Sequence, residues 1–330
     1  MITITSKKVL CTSGLLLLMA STANATTLWV NCGARSGLTS INAALKTLKG
    51  PESAGANTIN VSGACYENVL ITDTNGLTIV GRSGASLTDA SGDTADVVDI
   101  RNSRVTISGM TIDARNNVTW DAVDCEQGSH CMLNGNTIQG GADALGVYAT
   151  ASAAIVGGVL QNATSYGIWA RGDVAVAGVL IQGNPQGIGA IKGGRLQVSI
   201  ADPAWNPIRE VTQTTIAGNT GTGVQVVEGA QFLCGGCVIR DNGGDGIHAD
   251  LSAATTIQAA YTSSNTVIPP LVTRNAGPGV YVGDLSSAAF HGPNPTVTLN
   301  GQPDIVCKSA LSVSRGALGA AGSAHTNCAN

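Results

Sequence analysis

The chain has 330 residues, of which 43 are glycine; 43% are hydrophobic and only 3% aromatic. Its 17 basic and 21 acidic residues give a formal net charge of −4, or −6 once Lys7 and Lys8 are removed with the leader described below. So sparse and acidic a balance argues against nucleic acid, which is gripped by clustered Lys and Arg, and against an anionic membrane surface; without a Gly-X-Y period the glycine is not collagenous.

The chain opens as a secretory signal. Lys7 and Lys8 precede a largely apolar run from Val9 to Ala20, and Ala23-Asn24-Ala25 supplies a small-x-small cleavage pattern. Residues 1–25 are read as the signal and the mature chain starts near Thr26, which predicts a secreted or periplasmic protein. The apolar run is shorter than the ~20 residues a spanning helix needs, so no membrane insertion is expected. Residues 26–57 carry the one convincing helix: Thr39-Ser40 offers an N-cap, Ile41, Ala44, Leu45 and Leu48 share a face, and Gly50-Pro51 stops it.

From 58 to 302 the chain turns into short β-rich runs separated by Gly, Asn and Asp. They repeat. An apolar residue, then Asn, then Gly followed by Ile or Val recurs as Val159…Asn162…Gly167-Ile168, Ile181…Asn184…Gly187-Ile188, Ile216…Asn219…Gly223-Val224, Ile239…Asn242…Gly246-Ile247 and Val272…Asn275…Gly279-Val280. The unit is ~22 residues, a solenoid period. No leucine-rich frame is present, and a propeller blade would need ~40 residues. The expected architecture is all-β: a single-stranded right-handed parallel β-helix, with each strand pairing with its copy one turn later. The recurrent Asn is expected to form a ladder of amides along the coils. The 41–48 helix would cap one end. Residues 303–330, held by a Cys307–Cys328 bridge, would cap the other. The stretches near Arg195–Glu210 and Ala254–Pro270 are expected as loops thrown out from the wall.

Cys11 leaves with the signal, so the mature chain keeps Cys32, Cys65, Cys125, Cys131, Cys234, Cys237, Cys307 and Cys328. An even number in an exported chain suggests disulfides, but their connectivity is not legible in sequence. Pairing of neighbours (32–65, 125–131, 234–237, 307–328) is the simplest arrangement. A redox or zinc role for Cys234-Gly235-Gly236-Cys237 lacks the helix N-terminus or second ligand pair that either would want.

Strand alternation then places side chains. Val98, Val123, Val147, Ile168, Ile188, Val224, Ile247 and Val280 align as an inward column. The next residues, Asp99, Asp124, Tyr148, Trp169, Gly189, Gln225, His248 and Tyr281, must face outward, followed two positions on by Arg101, Glu126 and Arg171. Three aromatics in one exposed column of a chain this poor in them point to a binding surface. Rings beside carboxylates and guanidiniums suit a polysaccharide, whose apolar sugar faces stack while its hydroxyls take hydrogen bonds. Arg101, Tyr148, Trp169, Lys192, His248 and Tyr281 are the candidate substrate-binding residues. Asp99, Asp124 and Glu126 are candidate catalytic carboxylates, because a close pair would push one pKa up and supply a general acid. Arg171 would steady a uronate carboxylate or a developing oxyanion, and Lys192 is the other nearby base. The alternative for Asp99, Asp124 and Glu126 is a calcium ion, which wants several hard oxygens. His248 with Asp250 is a candidate separate acid–base site, and His130 is placed to lean over the patch. A monomer is expected, with a trimer stacked through an exposed wall as the alternative.

The segment Gly63-Ala64-Cys65-Tyr66-Glu67-Asn68-Val69-Leu70-Ile71, followed by Leu77-Thr78-Ile79-Val80-Gly81, resembles the opening coils of the pectin-lyase-like superfamily, and the later Asn and Gly-Ile pattern resembles its right-handed β-helix repeat members, over roughly residues 55 to 300. The resemblance implies an extended carbohydrate groove on one wall and, for the activity, a lyase or hydrolase acting on an acidic, uronate-containing glycan. A non-catalytic glycan-binding or structural surface protein is the alternative. The superfamily's catalytic motifs are not reproduced: Asp121-Ala122-Val123-Asp124, Gly246-Ile247-His248 and Asp202-Pro203-Ala204-Trp205 are the nearest stretches, and none matches.

Overall fold

The computed structural model describes residues 25–48, 56–115, 117–301, 303–309 and 311–316. Residues 1–24 of the expected signal and Cys328, the expected partner of Cys307, lie outside these residues. The chain coils as a right-handed parallel β-helix. Strand Thr27–Asn31 pairs in parallel with Thr58–Ser62, which pairs in parallel with Asn75–Gly81, and the pattern continues coil after coil. Among the described residues no helix is long and apolar enough to cross a membrane.

The short helix Ile41–Thr47 forms where the sequence predicts it. Ser40 is its N-cap and accepts from the Ala43 amide at 3.0 Å. Glu67, from the first β-coils, also accepts from the Ile41 and Asn42 amides at 2.6 and 3.0 Å, which places an anion at the positive helix end. Ile41 and Ala44 are buried against the first strands, so the helix covers the open end of the coil.

One wall is a continuous ten-stranded parallel sheet. Its strands are Val69–Thr72, Val98–Arg101, Val123–Glu126, Asp143–Val147, Tyr166–Ala170, Gln186–Ala190, Val224–Val226, Ile247–Ala249, Val280–Val282 and Ile305–Cys307. Val98, Val123, Leu145, Ile168, Ile188, Val224, Ile247 and Val280 stack as one fully buried column. This corrects the sequence alignment at one coil. Leu145, not Val147, holds the column, so Gly146 and not Tyr148 follows Asp124 outward. The Gly146-Val147 dipeptide imitates the Gly-Ile repeat two residues late; Val147 is also buried, one inward position further on.

The amide ladder exists, shifted by one rung. Asn184, Asn219, Asn242 and Asn275 each pass a side-chain N–H to the next amide oxygen, ending on Asn300, at 3.1, 2.9, 2.8 and 2.8 Å. All five are buried. Asn162 is not a member: it is exposed, with φ 58°. The backbone amide of the following Ala163 donates to Asn184 Oδ1 instead.

The expected loops are shorter than the sequence suggests. Arg195–Ala201 and Ala254–Gln258 are wall strands, because Leu196, Val198 and Ile200, then Thr255 and Ile257, alternate into the core. What leaves the wall is the chain that follows each. The two excursions meet where the Ser263 amide donates to Asp202 at 2.7 Å. Cys32–Cys65, Cys125–Cys131 and Cys234–Cys237 are disulfides, and Cys307 is disulfide-bonded as well.

Candidate functional site

The outward face of the ten-stranded sheet brings most of the sequence candidates together. Asp99 pairs in register with Asp124, and Arg101 with Glu126. The Arg101 guanidinium bridges the two strands: it bonds Asp99 Oδ2 at 2.6 Å and Glu126 Oε1 at 2.7 Å. One oxygen from each of Asp99, Asp124 and Glu126 lies within 4.8 Å of the others. Asp124 differs from its neighbours. It is only 6% exposed, and its Oδ1 is sealed from solvent with no hydrogen-bond partner among the described residues. Burial, reinforced by the surrounding carboxylates, pushes its carboxyl up to about 9.

A second, deeper column of carboxylates lies beside it. Asp96, Asp121 and Asp143 stand at equivalent places on three successive coils, and all are buried. Each is fixed by the next coil: Asp96 Oδ1 accepts from the Asp121 amide at 2.7 Å, Asp121 Oδ1 from the Asp143 amide at 2.9 Å, and Asp143 Oδ1 from the Tyr166 amide at 3.0 Å. Burial raises Asp96 to about 6 and raises the interacting pair Asp121 and Asp143 as well. Asp96, Asp121 and Asp124 also bring one oxygen each within 4.8 Å of one another. The clustered acids therefore form two candidate cation sites that share Asp124. The sequence reading missed the deeper column because it followed only outward positions. The signal was the recurrence of Asp96-Val97-Val98-Asp99, Asp121-Ala122-Val123-Asp124 and Asp143-Ala144-Leu145-Gly146.

Gly146 is what lets these groups crowd. A Cβ there would collide with Asp121 Oδ2 and lie 3.3 Å from the Tyr148 ring. Tyr148 thus occupies the space over Gly146. Although it lies two residues beyond its expected place, it still meets Trp169, edge to face, with ring centroids 5.0 Å apart. The Arg171 guanidinium carbon lies 5.5 Å from the Trp169 ring centroid. Arg171 makes no ion pair among the described residues, and its Nε is buried without a partner. Burial, with nearby Asp124 and Asp121, pushes the Tyr148 hydroxyl well above its usual range.

Further along the wall, Tyr281 stacks on His248 with centroids 4.5 Å apart. His248 Nδ1 is 2.7 Å from Asp245 Oδ2, so its partner is Asp245 and not Asp250. Asp250 Oδ1 instead accepts from the Asp284 amide at 2.7 Å. Lys192 is exposed at a turn with φ 51°. His130 does not lean over the patch. It opens the strand His130–Gln139 of another sheet, bonds Ser152 Oγ at 2.8 Å, and lines a separate open groove of about 550 Å³ whose floor includes Ala154 and Ala175. That groove holds a single acid, Asp173, and its Phe232 ring is buried in the core and offers no exposed face, so the chemistry points to the acid-bearing wall.

No family model matches the chain, and no curated protein sequence does. Solved structures do match in fold. The enzymatically active domain of tailspike protein 2 from bacteriophage CBA120 aligns with a TM-score of 0.54 at 12% identity, covering 86% of this chain and 47% of that one. The full-length tailspike protein 2 from the Escherichia coli O157:H7 phage aligns with a TM-score of 0.55 at 12% identity, covering 86% and 42%. The chain spans under half of either structure. The likeness is one of fold: a parallel β-helix.

Proposed function

We propose that this wall binds an acidic, uronate-containing polysaccharide and cleaves it beside the carboxylate cluster. The observation that carries the reading is Arg171. It is a guanidinium with no ion pair among the described residues, set against the Trp169 ring and next to Tyr148. A sugar stacked on the rings would bring its carboxylate to that cation, and charge-assisted pairing is the strong kind. Asp99 and Glu126, paired with Arg101, offer acceptors to neighbouring hydroxyls. An enzymatically active tailspike domain shares the fold, which supports by analogy that such a wall can carry catalysis.

Of the two cleavage chemistries elimination fits better, because it begins with a cation pairing with the uronate carboxylate. Arg171 would take that carboxylate, Lys192, exposed on the next coil, would take the proton beside it, and the leaving glycosidic oxygen would take a proton from water. Hydrolysis needs a free acid that reaches the glycosidic oxygen and a second free carboxylate. Here Asp124 Oδ1 is sealed, and Asp99 and Glu126 are tied to Arg101. A screen of purified protein against uronate and neutral polysaccharides tests the reading. Unsaturated products that absorb in the ultraviolet, formed from uronate chains, are the expected result. New reducing ends without that absorbance would mean hydrolysis. Retained binding with neither product, lost in W169A, would leave a glycan-binding protein without catalysis.

A further inference from the structure

The acids and bases of this wall do not balance. Asp96, Asp99, Asp121, Asp124, Glu126 and Asp143 converge on three adjacent coils, and the Arg101 guanidinium engages only Asp99 and Glu126. Arg171 lies over Trp169 instead. Four buried carboxylates are left: Asp96, Asp121 and Asp143 each accept from a backbone amide, and Asp124 Oδ1 accepts from nothing among the described residues. Removing a charge from water without a counter-charge costs several kcal/mol, so such a group must take up a proton or meet a cation.

The positions of the oxygens favour the cation. Asp96 and Asp121 each commit one oxygen to a backbone amide, which fixes the carboxylate and leaves its second oxygen outside those bonds. Asp124 brings an Oδ1 that is buried and unpartnered, on a residue only 6% exposed. The three acids present an oxygen apiece within 4.8 Å of one another, the span of a small ion's ligand shell. Gly146, without a Cβ, keeps the space beside Asp121 Oδ2 clear. Protons would neutralise these groups but would not explain why two carboxylates fixed by backbone amides and a third, buried and unpartnered, converge on one point.

We infer that Asp96, Asp121 and Asp124 hold a hard divalent cation, calcium by preference, as an integral part of the wall. Calcium accepts six to eight oxygens in loose geometry, whereas magnesium demands a near-ideal octahedron that strands in fixed register do not offer. This placement differs from the outer triad of Asp99, Asp124 and Glu126, where the guanidinium of Arg101 already supplies the positive charge. The ion would tie the coil of Asp96 to the coil of Asp121 and Asp124 beside Tyr148, and so fix the platform on which Tyr148 meets Trp169. The inference does not require that the wall bind a glycan.

The test uses the full chain, stripped with EGTA and then titrated with calcium chloride or terbium chloride. The expected results are one calcium bound per chain by calorimetry, terbium emission sensitised by the nearby rings, and a melting midpoint raised by about 5 °C or more at saturation. D124N is expected to weaken calcium binding at least ~10-fold and to abolish the midpoint shift, because it removes a ligand and a charge. D99N, which removes a carboxylate already engaged by Arg101, is expected to retain both. If wild-type protein takes up no calcium and melts alike in EGTA and in calcium, the inference is overturned, whatever the variants do. Equal losses in D99N and D124N would overturn the assignment to the inner trio. Glycan binding by wild-type protein in EGTA is read in parallel. Glycan retention without calcium uptake sinks the ion alone, and calcium uptake without any glycan binding sinks the function proposed above alone.

Discussion

The Tyr166 hydroxyl reaches across two coils of the wall to donate to Gln225 Oε1 at 2.7 Å. To do so its ring lies flat over Gly189, where a Cβ would sit 2.7 Å from the ring edge. Gly189 therefore holds its place in the outward column because a ring covers it, and Tyr166 forms the stretch of wall between Trp169 and Gln225. G189V should displace the ring and cost about 1–3 kcal/mol, the usual penalty of overpacking. Y166F should cost about 0.5–1.5 kcal/mol through the lost hydrogen bond, towards the lower end because Gln225 is half exposed and can turn to water. Urea unfolding curves measure both. A G189V protein as stable as wild type would mean that Tyr166 does not lie there in solution.

The architecture was legible because parallel coiling writes its period directly into the chain. Seven β-branched residues and a leucine in one column suffice to reveal it, and the error within that column, Val147 for Leu145, arose where both residues face inward and only register separates them. Side-chain neighbours across coils followed from that period, so Asp99 beside Asp124 and Tyr148 beside Trp169 were both anticipated. What stayed hidden were contacts set by local geometry. Nothing in sequence separates Asp245 from Asp250 as the partner of His248, since both lie within a turn of it. The Asp96, Asp121 and Asp143 column was also invisible. These acids stand just before each wall strand and are buried under the same face that carries Asp124 and Gly146, and only backbone amides from the next coil make the burial tolerable.

Arg171 and Trp169 should have separable effects on ligand binding. R171A is expected to weaken binding of uronate oligosaccharides by roughly ten- to a hundred-fold, the worth of one charge-assisted hydrogen bond of about 1.5–3 kcal/mol, and to leave neutral oligosaccharides nearly unchanged. W169A removes the stacking surface and should weaken both classes. R171K keeps the charge but loses the planar group that lies over the ring, so it should recover only part of the affinity. Calorimetry with matched acidic and neutral oligomers decides. An equal loss of both classes in R171A would show that the cation does not read the carboxylate.

Arg101 is the only guanidinium tied to the acid cluster through ion pairs among the described residues. R101M removes it while keeping most of its apolar stem, and leaves Asp99 and Glu126 facing each other without a counter-charge. Breaking a fully buried pair in this way costs about 3–5 kcal/mol. The Arg101 side chain is 39% exposed, so screening by water reduces the expectation to roughly 1–2 kcal/mol. Because the loss is electrostatic repulsion between carboxylates, part of it should return when R101M is combined with D99N. Denaturant melts of the two variants and their combination give the coupling directly. Additive losses would mean that Arg101 contributes packing alone.

Asn242 and Asn162 occupy the same place in the sequence repeat and should behave as different residues. Asn242 is buried, accepts from the Asn219 amide and side chain at 3.2 and 2.9 Å, and donates to Asn275 Oδ1 and the Ile216 carbonyl at 2.8 and 3.2 Å. Truncating it to alanine strands the backbone and side-chain donors of Asn219 in a dry interior and removes one donor from the Ile216 carbonyl, while Asn275 Oδ1 keeps the residue-242 backbone amide, at about 1–3 kcal/mol for each group left unsatisfied. Water admitted to the gap would offset some of this, so a net loss of about 3–5 kcal/mol is expected for N242A. Asn162 is exposed, and its amide serves no rung of the ladder. Its positive φ of 58° is the one feature an alanine would feel, costing about 1 kcal/mol by the preference of Asn for that region. Urea unfolding of N242A and N162A side by side gives the comparison. Equal losses would reduce the buried amides to ordinary turn residues and remove the ladder as a source of stability.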